Sequence, residues 1–475
     1  MALAVRATMR CNGRAMKDYA ATSFWLETCG DDLTPRPGLA GSIGVDVAIL
    51  GAGYTGLWTA YYLLARQPSL KIAILERDIA GFGASGRNGS WCTAHFPLGP
   101  GTVAKTYGRE NAVALYRAMA ASVDEVAAAA SREGLDIQFV KGGGLTVARG
   151  PQQLPSVRDS HAEFESLGLG DRVKLLDRAT TDAVVKISNA EGAIYYKDAA
   201  NLHPGRLVRG LARAVERKGA TIYEQTDVTG FSTGSRPALH TATGDVNAKT
   251  IVLAGEAYLS RLKPLHRQLI PVYSLMTLTE PLSKADWDAI GWRHRECIDS
   301  CRLTIEYTAK TADGRILFGG RGAPYHFGSR IEDAYDRHDP TIQMFQKSVR
   351  DWFPRLKDVR FTHAWGGPLG VPRDFTPTMT FDPDSGVASA RGYVGNGVAT
   401  TNLSGRVLAD LILGVKSEIT HLPCVNHRSP NWEWEPLRYL AVHYIQNAYW
   451  KIDQQAERTG LAPSGKTLAE RLTQH

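Results

Sequence analysis

The chain has 475 residues, 43% hydrophobic and 22% charged, a balance ordinary for a globular enzyme and long enough for two packed domains. No run of about 18 apolar residues occurs, which excludes a conventional transmembrane helix and any stable membrane insertion by one. The formal charge of +7 is spread among acids along most of the chain, so it marks no nucleic-acid-binding face.

The six cysteines lack the paired CxxC spacing of a zinc site, so no metal is expected, and a reducing, cytoplasmic compartment fits them best. Arg6, Arg10 and Arg14, with no acid among them, give residues 1–15 the look of a transit sequence or of a start placed upstream of the native one. Residues 1–44 read as an N-terminal extension. Residues 45–50 (Val-Asp-Val-Ala-Ile-Leu) have the character of a buried parallel strand, and a helix is predicted from Leu57 to about Ala65, closed by Pro68. Residues 71–75 form a second strand ending at Glu76. A Gly- and Ser-rich loop follows at 81–90, then a long alanine-rich helix from Arg109 to Arg132 bounded by Gly134. Further on lie a helix at 207–218, strands at 221–223 and 250–254, a strand- and aromatic-rich stretch at 269–380, and a helix at 403–413 closed by Gly414. The predicted class is α/β. A Rossmann-like dinucleotide domain (45–136, 196–268 and 381–430) is interleaved with a second domain built on a mixed or antiparallel sheet (137–195 and 269–380), and 431–475 forms a C-terminal helical segment.

Gly51, Gly53 and Gly56 form a GxGxxG turn that follows a strand and leads through Tyr54 and Thr55 into a helix. An acid, Glu76, stands twenty residues beyond Gly56 at the end of the next strand, with Arg77 beside it. The glycines permit a tight turn, close approach to a pyrophosphate and close helix–strand packing, and Glu76 would accept hydrogen bonds from the ribose hydroxyls. This does not separate NAD from FAD. The loop residues Ala84, Ser85, Gly86, Arg87, Asn88 and Gly89 do: they suit a diphosphate and ribityl chain better than a nicotinamide site, which points to FAD.

The 45–76 unit, the 84–89 loop, the strand at Asp227-Val228 and the Gly395-Asn-Gly397 helix start together resemble the D-amino acid oxidase family of flavoproteins, across most of residues 45–414. Within it, Trp25-Leu26, Arg36-Pro37 and the stretch 318–325 resemble γ-glutamylputrescine oxidases and related FAD-dependent amine oxidases. The resemblance implies that Val228 meets the adenine, that Gly255 lies near the diphosphate, and that Gly395, Gly397, Val398 and Thr400 lie beside the flavin. No cysteine stands near 365–368, so non-covalent FAD is expected. The implied reaction is oxidation of the C–N bond of a primary or secondary amine, γ-glutamylputrescine-like or amino-acid-derived. It gives an imine that hydrolyses to an aldehyde or keto product, with O2 reduced to H2O2. A dehydrogenase of the same fold serving a quinone or partner protein, and a non-catalytic flavoprotein subunit, remain open alternatives.

Candidate substrate contacts are Arg321, Tyr325, Trp365 and Arg373. Either arginine would clamp a carboxylate, with a structural ion pair, Arg373 to Asp374 for instance, as the competing reading. Tyr325 and Trp365 would form an aromatic wall for a cationic amine, or simply core. His363 and His95 read more readily as packed histidines than as bases. Relatives that act on α-amino acids often carry a carboxylate-binding arginine a few residues past the equivalent of Trp365. Leu369 stands there, which the resemblance turns into an argument for an amine without an α-carboxylate.

Overall fold

The computed structural model describes residues 10–11, 14–15 and 17–473, so the question of whether residues 1–15 are native falls almost wholly outside the described residues. The apolar run Val47–Leu50 is the third strand of a six-stranded sheet whose order is Thr221–Tyr223, Ile72–Leu75, Val47–Leu50, Thr250–Leu253, Val387–Arg391, Thr378–Asp382. The first five strands are parallel and the last is antiparallel. A parallel sheet needs cover on both faces, which is why these strands are continuously apolar rather than alternating. On one face Val47, Ile49, Ile72 and Ile74 pack under the helices Tyr54–Arg66, Arg109–Arg132, Pro204–Arg217 and Gly397–Ile412. On the other, Ala48, Ala73, Ile251 and Leu253 meet Leu239 and Val246 of a small four-stranded sheet.

The second domain is an eight-stranded sheet in the order Phe361–Val371, Ile270–Thr279, Ile316–Gly320, Glu306–Lys310, Cys297–Ser300, Gly144–Arg149, Ala190–Tyr196, Val173–Asp177. All its pairings are antiparallel except that of Cys297–Ser300 with Gly144–Arg149. Its strands come from 144–196 and 270–371. One face packs Phe318 and Leu275 against Phe345, Val349 and Trp352 of helix Asp339–Trp352. The opposite face carries a row of successive register partners, Met276, Gly319, Tyr307, Asp299 and Thr146. Directly paired residues project from the same side of a sheet. All but Gly319 of that row line a cavity described below.

The structure corrects several expectations. Residues 17–44 are no appendage: Phe24, Trp25 and Leu26 are buried, Arg36 pairs with Glu216 and the buried Glu224, and Ile43–Gly44 is the edge strand of the four-stranded sheet. Strand Thr378–Asp382 crosses the expected boundary at 380 and belongs wholly to the dinucleotide sheet. The helix expected from Leu403 begins at Gly397, because tertiary packing overrides the weak helix propensity of its Thr- and Asn-containing first turns. The C-terminal segment contains one long helix, Leu437–Thr459, and Asp453 on it accepts from the backbone N–H groups of Leu303 and Thr304. No helix among the described residues is long and apolar enough to cross a membrane.

Gly405 lets helix Gly397–Ile412 lie directly on helix Tyr54–Arg66, since a Cβ there would stand 2.6 Å from the Cβ of Trp58. Gly405→Val is expected to force the two helices apart at a cost of about 1–3 kcal/mol. A lowered melting temperature together with weaker FAD retention would show it, and an unchanged melting temperature would refute the contact.

Candidate active site

Two joined cavities lie between the domains. The first, about 370 Å³, runs from Glu76, Arg77 and Val228, past Gly51, Gly53 and Gly255, to Gly395, Gly397 and Val398. The second, about 490 Å³, shares Ala84, Asn88, Leu369, Gly395 and Val398 with the first and continues under the eight-stranded sheet.

The turn at Gly51 is in the left-handed region (φ +101°), and a Cβ there would meet the carbonyl of Ala254 at 2.8 Å. At Gly56 a Cβ would fall 2.0 Å from the Gly51 carbonyl, so Gly56 serves helix–strand packing and does not line the cavity. Helix Tyr54–Arg66 starts at the cavity wall and directs the positive end of its dipole there. Ser85 acts differently from a direct cofactor contact alone: its Oγ accepts from the N–H of Tyr54 at 2.8 Å, capping that helix from the neighbouring loop. Glu76 accepts from the N–H groups of Ala52 and Asp78, each at 3.0 Å, and burial pushes its carboxyl up to about 7.

The loop at 84–89 is held through its carbonyls. Ser23 donates to Gly86 at 2.7 Å, the Trp25 indole to Asn88 at 2.7 Å and the Trp365 indole to Arg87 at 2.9 Å. Trp365 is therefore a support of this loop and lines neither cavity. The Arg87 guanidinium donates to the Phe82 and Gly366 carbonyls and pairs with Asp336, leaving Nη2 without a partner. Arg87 and Gly89 border only the second cavity, and Gly86 borders neither. A Cβ at Gly89 would strike the Tyr307 ring at 2.4 Å, so this glycine is what lets the loop pass the substrate sheet.

Of the four expected substrate contacts only Arg321 lines the second cavity. Tyr325 is buried away from it, with its hydroxyl bonded to Glu435 at 2.9 Å and Ser329 at 3.0 Å. Arg373 pairs with Glu433 at 3.1 Å, over the Trp432 ring, and faces a third, outer cavity of about 970 Å³. Asp374 holds His427 instead of Arg373. His363 bonds Glu27 and Thr362 near the surface, whereas His95 does line the second cavity, where burial holds its imidazole neutral by pulling it down to about 4. Thr400 is spent on the Asn396 carbonyl, and Thr401 lines the first cavity in its place.

Sequence reasoning passed over three residues. Glu256 accepts from the N–H groups of Gly392 and Tyr393, both at 3.1 Å, and so fixes the turn that carries Gly395; an acid directly after the strand-end Gly255 was the available signal. Tyr307 and Asp299 line the second cavity and are legible only from sheet register.

A strand–GxGxxG–helix turn, an acid at the following strand end and a second cavity continuous with the dinucleotide cleft define a flavin-dependent oxidoreductase. The residues present fit such a dinucleotide, since the approach at Gly51, the helix N-terminus and the Glu76 carboxylate sit in one cleft. Residues 46–411 match the DAO family, FAD-dependent oxidoreductases, and the chain belongs to that family. Its cofactor is FAD. It is 30% identical over 400 residues to the γ-glutamylputrescine oxidoreductase of Escherichia coli K12, covering 83% of this chain and 89% of that protein. It is 22% identical to a glycine oxidase of Geobacillus kaustophilus over 77% of this chain and 92% of that one. The crystal structure of the Geobacillus glycine oxidase superposes with a TM-score of 0.69 at 20% identity, over 82% of this chain and 99% of that one. The L-proline dehydrogenase of P. horikoshii superposes at 0.65 with 18% identity, over 82% and 96%, and these superpositions speak to the fold.

Ribose hydroxyls donate best to an ionised carboxylate. Glu76→Gln is therefore expected to weaken FAD binding roughly 10–100-fold near pH 8 and by less near pH 6, where the native carboxyl is itself largely protonated. Titration of apoprotein with FAD at both pH values would test this; an equal loss at both would exclude the ionised form as the acceptor. Tyr325→Phe is expected to leave turnover unchanged and to cost stability by about 1 kcal/mol, and a large drop in kcat would return Tyr325 to the site.

Proposed function

We propose that this enzyme oxidises the C–N bond of a primary or secondary amine to an imine, which hydrolyses to an aldehyde or keto product, with non-covalently held FAD and with O2 as the acceptor yielding H2O2. The relation to the E. coli oxidoreductase makes γ-glutamylputrescine the first substrate to try. The observation that supports the reading is Arg321. It borders both the second cavity and the outer one, donates to the Val394 carbonyl at 3.1 Å and has no acidic partner within salt-bridge distance among the described residues. Burial lowers its guanidinium to about 10, still protonated at neutral pH, so an uncompensated cation stands where the second cavity meets the outer one.

Bound FAD supplies the two-electron acceptor, and the chain's own residues supply the position of the amine. Arg321 would hold a substrate carboxylate by charge-assisted hydrogen bonds. Tyr307, bonded to Ser274 at 3.3 Å and raised to about 12 by burial, stays neutral and offers a hydroxyl to the substrate rather than a base. Leu369, Val394 and Val398 make an apolar wall that keeps water from the junction.

Mixing the FAD-loaded protein anaerobically with γ-glutamylputrescine is expected to bleach its flavin bands, and readmitted air to yield stoichiometric peroxide. Persistence of the bands with a panel of amines and amino acids would overturn the amine reading; bleaching without oxygen uptake would overturn the acceptor. Arg321→Met is expected to reduce the preference for carboxylate-bearing over carboxylate-free amines by roughly 10–100-fold in kcat/KM. An unaltered preference would remove Arg321 from substrate binding.

A further inference from the structure

The second cavity does not end at the junction with the first. It extends along the row of register partners across the sheet, from Met276 past the side-chain gap at Gly319 and the ring of Tyr307 to Asp299 and Thr146. Three strand spacings separate the Met276 and Asp299 positions, roughly 14 Å. Polar residues Ser160, Glu163 and Tyr196 also line this cavity, Tyr196 near enough to Asp299 to sense its charge.

Asp299 is the anomaly of this arm. It is partly exposed to the cavity, its Oδ1 is shut off from bulk solvent and has no hydrogen-bond partner, and no lysine, arginine or histidine reaches it within salt-bridge distance among the described residues. Thr146 bonds its carboxyl, and the charge that acts on it from the protein is that of Glu306, of like sign. Arg302, three residues on, does not neutralise it, because Glu306, Asp453 and Glu457 surround that guanidinium at 3.4–3.6 Å. Burial pushes the Asp299 carboxyl up to about 7, because no counter-charge among the described residues offsets the loss of water; a cation placed against the partnerless Oδ1 would restore the ionised form.

We propose that Asp299 is the binding site for a second ammonium group of the substrate, so that the enzyme selects amines carrying another cationic nitrogen well removed from the C–N bond that is oxidised. The chain between two such nitrogens in a γ-glutamyl diamine is about ten bonds, which at an extended chain's roughly 1.2 Å per bond spans about 12 Å, comparable with the length of the arm. The arm's geometry excludes the single nitrogen of a simple α-amino acid from serving both places. This assignment rests on the amine reading above and sharpens it.

Three amides of putrescine test it, since they share the reacting amine and differ at the far end. The γ-glutamyl amide carries ammonium and carboxylate, the 4-aminobutanoyl amide the ammonium alone, and the glutaryl amide the carboxylate alone. With the native enzyme, kcat/KM for the γ-glutamyl amide is expected to exceed that for the glutaryl amide by roughly 10–100-fold. Asp299→Asn is expected to collapse that ratio through KM rather than kcat, with FAD content and melting temperature as checks on folding. A native ratio near one overturns the assignment without recourse to any variant, and so does a ratio that survives in Asp299→Asn. Should no amide be turned over, the amine-oxidation reading falls by itself, and flavin-absorbance titration of the FAD-loaded protein with the same three amides decides Asp299. Tighter binding of the two ammonium-bearing amides, lost in the variant, upholds it; equal binding or none overturns it.

Discussion

The constraint on which the rest of the site depends is the capture of three successive carbonyls, of Gly86, Arg87 and Asn88, by three side chains from distant parts of the chain: Ser23, Trp365 and Trp25. A loop this rich in glycine has little intrinsic preference for one path, and fixing it costs conformational entropy. The three donors select the path. Once selected, Ser85 can cap helix Tyr54–Arg66, Asn88 can stand between the two cavities, and Gly89 can slip past Tyr307. Two donors, Ser23 and Trp25, come from the N-terminal segment and one, Trp365, from the substrate sheet, so the cofactor cradle is a property of the assembled domains and not of the Rossmann-like unit alone.

The second theme is electrostatic incompleteness. Most buried charges in this protein are matched: Glu224 by Arg36 and Arg209, Asp410 by Arg66, Arg209 by Asp31. Against that background Arg321, a cation with no acidic partner, and Asp299, a carboxyl that burial raises to about 7 and that has no basic partner, stand out among the described residues as facing one cavity without a counter-charge. Such unpaired charges are unfavourable in the free protein, and sites that bind charged ligands are where that imbalance is tolerated. The matched pairs hold the domains; the unmatched ones address a ligand.

The sequence was most informative where the chemistry is local. The GxGxxG turn, the acid at Glu76, the helix Arg109–Arg132 and the strand Thr221–Tyr223 are written in short-range patterns, and the structure reproduces those elements. It misled where aromatic or charged residues were judged by type alone. Tyr325 and Trp365 have the composition of a substrate wall, yet each donates or shares its polar atom elsewhere, and Arg373 lies in the outer cavity with its own acid. Nothing in their neighbours along the chain distinguishes these from Arg321.

By itself the sequence determined the fold class, the dinucleotide turn and the interleaving of two sheet domains, because each follows from glycine placement and hydrophobic periodicity over a few residues, while the flavin followed from the polar 84–89 loop and the family resemblance. Only the tertiary structure decided that residues 17–44 belong to the core, which helix Thr401 joins from Gly397 onward, and that Met276, Tyr307, Asp299 and Thr146 share one face. Those last four lie up to 161 residues apart in sequence, from Thr146 to Tyr307. Their proximity comes from strand register in a sheet of non-local pairings, which period-two alternation within any one strand cannot specify.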